Sequence, residues 1–138
     1  QKGGDSSAVE KCRAAIGQMD AALTMYGLDN GGLYPEDPTL LVDLGYLQHF
    51  PFAEATVAGQ YVEGSYTYHA LHDDAGQVVG YLLFAYAAGP GTGFDVYTPD
   101  NLAADGNFVI GRDGLPDGVA SYCYDGTALE MIDAYNGR

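Results

Sequence analysis

Between Asp5 and Tyr26 the apolar residues Val9, Cys12, Ile16, Met19, Leu23 and Tyr26 recur at spacings of three and four. That rhythm places them in a single stripe along an α-helix. The stretch that follows, Gly27 to Pro35, supplies glycines and Asn30 for left-handed backbone and then a proline that forbids further helix. The pattern therefore predicts a helix over about 5–27 that needs a partner surface for one face. Ser6 and Ser7 offer capping hydroxyls, with Glu10 three residues beyond Ser7.

The rest of the chain supplies that surface. Thr39 or Asp37 is placed to cap a short second helix, about 39–48, carrying Leu40, Leu41, Leu44 and Leu47. From Gly64 the rhythm becomes alternation. Tyr66, Tyr68 and Ala70 fall on one side, and Thr67, His69 and Leu71 on the other. The turn residues 72–76 and the β-rich run Val78 to Ala87 complete a hairpin. Shorter strand candidates follow at Phe94–Tyr97, Asn107–Ile110 and Val119–Tyr124. Helix first and strands after predicts an α+β fold, with the long helix packed on an antiparallel sheet of three to five strands over about 64–124. At 138 residues one core, and hence one domain spanning 1–138, is expected.

Nineteen acidic against five basic residues give a net charge of −14. This argues against nucleic acid as a partner, because binding phosphates needs clustered Lys or Arg. Cys12 and Cys123 lack the close spacing of a zinc site or redox pair. A long-range disulfide, implying an oxidising compartment, is the reading adopted, and two buried free thiols are the alternative. No stretch approaches the ~20 apolar residues of a membrane span, and no signal peptide is visible. Gln1 reads as the start of a processed or shortened chain.

No catalytic signature emerges. The serines lie outside any nucleophile elbow, the glycine-rich loop 89–93 lacks a phosphate-loop lysine, and His69 and His72 are spaced to point apart. Asp100, Asp105, Asp113 and Asp117, in Gly- and Pro-rich surroundings, are calcium candidates, although Asp also serves simply as a turn former. No cofactor is otherwise expected, and the chain is read as no enzyme.

The order of these features resembles a known family. The segment Ala21-Ala22-Leu23-Thr24-Met25-Tyr26, running into Asp29-Asn30-Gly31-Gly32-Leu33-Tyr34-Pro35, is similar to the helix-to-loop junction of type IV pilins and type II secretion pseudopilins. It carries one extra residue before Tyr34. Leu40 to Leu47 resembles the short helix before their sheet, and Gly64–Tyr68 with the strand to Ala88 resembles their hairpin. Phe108 to Gly114 is faintly similar to their C-terminal end.

The resemblance implies a pilin-like head domain whose precursor would carry an apolar N-terminal helix, cleaved, methylated and anchored in the inner membrane. It implies a structural role in a pilus or pseudopilus filament, extracytoplasmic or at the cell surface, with like subunits and inner-membrane assembly machinery as partners. Family disulfides generally tie the C-terminal part of the head, whereas Cys12 to Cys123 would tie the helix to the end of the sheet. The competing readings are a secreted module whose tyrosine-rich strands bind sugar or peptide, a hydrolase using Glu54 and Glu63, and a coiled-coil dimer through the Val9–Tyr26 stripe.

Overall fold

The computed structural model describes residues 6–53, 62–88, 119–126 and 129–132. Helix α1 runs Ser6–Asp29, three residues past the last residue of its periodic stripe, and α2 spans Leu40–Asp43. Four strands follow: β1 Tyr66–His72, β2 Val78–Tyr86, β3 Val119–Tyr124 and β4 Leu129–Ile132. They form one sheet in the order β1-β2-β3-β4. The strand candidates at Phe94–Tyr97 and Asn107–Ile110 lie outside the described residues.

The end of α1 and the start of α2 have local causes. Past Asp29, the N–H of Gly32 bonds the carbonyl of Gly27 at 2.8 Å, with Gly31 at φ 69°. This is the closing geometry that glycine adopts without steric penalty. The Asn30 side chain donates to the Tyr26 carbonyl at 2.8 Å. The second helix begins at Leu40 with Thr39 in the N-cap position, and Asp37 holds the turn leading into it, its Oδ1 accepting from both the backbone N–H and the hydroxyl of Thr39, at 3.0 and 2.8 Å.

The fully antiparallel sheet expected from the sequence is corrected. β1 and β2 are antiparallel, with Tyr66 opposite Ala85 and Leu71 opposite Gly80, and β3 and β4 are antiparallel. β2 and β3, however, run parallel, with Tyr81 opposite Val119 and Tyr86 opposite Tyr124. The sheet is mixed. A parallel pair cannot be closed by a tight turn and needs a long crossover, for which residues 87–118 provide the chain length.

β2 is central, and both of its faces are buried. Tyr81, Leu83, Ala85 and Ala87 join Cys123 beneath α1, while Leu82, Phe84 and Tyr86 join Leu71, Tyr122 and Tyr124 on the opposite face. That explains its near-continuous apolar run, which differs from the apolar and polar alternation of the half-buried strand β1. A register shift at Leu71/His72 lets Val79 bulge out to solvent between buried Val78 and Gly80.

Candidate functional site

The predicted stripe is the covered face of α1. Cys12, Ile16, Met19 and Leu23 are buried against the sheet, with Val9 and Tyr26 packed at the margin. Two specific links fasten this face. Cys12 and Cys123 form a disulfide across 111 positions of sequence. Two helical turns further along, Asp20 is 2% exposed, and its Oδ1 accepts from the Tyr81 hydroxyl at 2.8 Å and the Ser121 hydroxyl at 2.7 Å. Cys12 meets Cys123, and Asp20 meets Ser121 two residues earlier on β3, so α1 runs antiparallel to β2 and β3.

Sequence reasoning missed Asp20 because an acidic residue is ordinarily placed at the surface. The available signal was its spacing, since position 20 lies four beyond Ile16 and eight beyond Cys12, on the buried stripe. A carboxylate there requires hydroxyl partners, and the strand residues Tyr81 and Ser121 provide them.

The other face of α1 is uncovered. Ser7, Lys11, Ala14, Gln18, Ala21, Met25 and Leu28 alternate at four and three residues and are all exposed. Met25 and Leu28 are 53% and 75% exposed, among the few large apolar side chains left in solvent. Lys11 and Arg13 near the helix start are the only basic residues among those described. Beyond the far end of α1 the surface is acidic. Asp29 accepts from the Tyr46 hydroxyl at 2.5 Å, and this hydrogen bond, ahead of burial, pushes the phenol above its ordinary range. Glu36 pairs with His72 at 2.7 Å, and Asp37, Asp43, Asp73 and Asp74 are exposed.

At the opposite end, beside the disulfide, lies a cavity of about 140 Å³. Its walls include Ala8, Ala15, Phe52 and Ala85, with Lys11 and Glu63 also lining it.

The remaining candidates do not converge. His72 bonds Glu36, His69 packs edge-on to Phe84, and His49 is exposed elsewhere. The Ser65 hydroxyl donates to the Val62 carbonyl at 2.6 Å, a turn contact, and Ser121 serves Asp20. Glu63 is exposed, while Glu54 lies outside the described residues. Asp100, Asp105, Asp113 and Asp117 lie outside them as well. Among the described residues no group of three His, Cys, Asp or Glu could hold a metal ion, and no helix is long and apolar enough to cross a membrane.

The tyrosines of the strands are not a stacking platform. Tyr81, Tyr86, Tyr122 and Tyr124 are buried, and Tyr66 and Tyr68 pack on the core. Burial, reinforced by the Glu36 charge, drives the Tyr68 phenol far above its ordinary value, and its hydroxyl donates to the Pro35 carbonyl at 2.7 Å. Comparison with family models, curated proteins and solved structures gave no match to this chain.

Proposed function

We propose that this chain is the head domain of a filament subunit of the type IV pilus or type II secretion pseudopilus kind, with a structural and non-catalytic role outside the cytoplasm. The observation that carries the reading is the division of labour on α1. One face is fastened to the sheet by a disulfide and a buried carboxylate, while the other is presented to solvent along its whole length.

A helix needs no such exposed row of Ala14, Ala21, Met25 and Leu28 for its own stability. Contacts with neighbouring subunits would give the row a use. The junction from Tyr26 to Pro35 adds support, since it closes the helix and lays the chain beside β2, where the Tyr34 N–H bonds the Val78 carbonyl at 2.9 Å. The disulfide fits an oxidising compartment. The parallel β2–β3 pair is a departure from the sheet that the resemblance implies, and it sets this head apart within the proposed class.

The test is the reading frame that encodes the chain. A short basic leader, a peptidase site and an apolar helix running continuously into α1 are expected upstream of Gln1. An ordinary secretory signal ending at Gln1 would overturn the proposal and favour a secreted binding module.

A further inference from the structure

Resting on the filament reading, we propose that copies of this chain join head to tail, the apolar knob at the far end of α1 from one copy entering the cavity beside Cys12 of the next. The knob is Leu28 with Met25, and Leu44 is 54% exposed just before Tyr46, whose ring packs edge-on against Tyr26 of α1. The receptor is the 140 Å³ cavity, whose walls are mostly apolar. An apolar cavity of roughly 150 Å³ accepts a benzene-sized guest, so a leucine side chain is a fitting occupant.

Charge favours a second copy over an unrelated partner. The knob stands among Asp29 and Asp43, within the acidic end of the molecule, whereas Lys11 lines the cavity. In a chain of net charge −14, this lysine sits where an acidic end would arrive. Among the described residues Lys11 has no ion-pair partner of its own. Glu63, on the same cavity, is the one unfavourable charge and limits the strength of the contact.

The two patches differ and occupy opposite ends of the helix. The contact is therefore heterologous and links successive copies head to tail instead of closing as a two-fold dimer. From Cys12 to Leu28 is sixteen residues, so partners are displaced by ~24 Å along the helix at 1.5 Å per residue.

Cross-linking tests the geometry on the full 138-residue chain, using Leu28→Cys and Glu63→Cys with a short bis-maleimide; the native cysteines are bonded and do not react. The double variant should give a ladder of dimers, trimers and longer species, and a mixture of the two single variants dimers only. The ladder should weaken as salt rises, and adding Met25→Asp to the double-cysteine variant, which keeps both thiols, should cut the yield at least ~10-fold, about 1.4 kcal/mol of association. Leu28→Cys cross-linking to itself as well as it does in the mixture would show two-fold pairing of the uncovered helix faces and overturn the proposal. So would monomers throughout at millimolar protein.

Expression of the full-length Leu28→Asp variant separates this contact from the filament reading. Filaments that form unchanged overturn the contact and leave the filament reading standing. Absence of filaments even from wild type overturns the filament reading, while the ladder still decides the contact.

Discussion

Replacing Cys12 and Cys123 together by alanine should lower the melting temperature by about 15 °C. The bond spans 111 positions, and in the chain-entropy model a loop of that length restrains the unfolded chain by roughly 4 to 5 kcal/mol. A chain of 138 residues has an unfolding entropy of about 0.3 kcal/mol per kelvin at its midpoint, and the ratio gives the shift. Both cysteines are buried, so the substitution also leaves small voids, which act in the same direction. Calorimetry of oxidised wild type and the double variant measures the shift, and urea titration measures the accompanying slope. Without the cross-link the unfolded chain expands and exposes more surface, so the slope should rise. A shift under ~5 °C with an unchanged slope would refute the loop-closure reasoning. It would mean that the apolar stripe and Asp20 hold the helix to the sheet with little help from the covalent bond.

Removing the carboxylate with Asp20→Ala should cost about 3 kcal/mol, because the Tyr81 and Ser121 hydroxyls lose their buried acceptor. The triple variant Asp20→Leu, Tyr81→Phe, Ser121→Ala should recover most of that loss, and chemical denaturation of the set reads both effects. Gly31→Ala should cost ~1 kcal/mol in the same assay, since φ is 69° there and alanine resists it. In alkali, the hydroxyls of Tyr66, Tyr68 and Tyr122 are held above their ordinary value of 10, by burial first in each. A raised folded-state value means that their stabilisation is complete below about pH 10 and is lost as the pH climbs beyond it. Denaturation midpoints followed from pH 8 upward should therefore fall above pH 10, and less steeply in Tyr68→Phe; a flat profile through pH 11 would contradict this.

The long helix was legible because a 3.6-residue period over five turns has few alternative explanations, and Gly31, Gly32 and Pro35 mark its end. The β1–β2 hairpin was legible for the same reason at period two, with Tyr66 and Tyr68 on the helix side and Leu71 on the other. The direction of β3 was not. Val119–Tyr124 reads as a strand in either orientation, and its pairing with β2 is decided by the path of the chain between them, on which residue alternation is silent. Within the candidate site, the buried stripe and the cysteine pair could be read from spacing. Asp20 could not be read from residue type, because its burial depends on hydroxyls placed 61 and 101 positions away. The uncovered row from Ser7 to Leu28 was hidden because alanine and glutamine are ordinary surface residues. It stands out only once the sheet is seen to occupy the other face.

The filament proposal is tested most directly by immunogold electron microscopy of cells that express the full-length protein, compared with cells deleted for it. Label running along thin filaments that vanish on deletion and return on complementation is the expected result. Label confined to soluble secreted protein, with any filaments unchanged by the deletion, would contradict it.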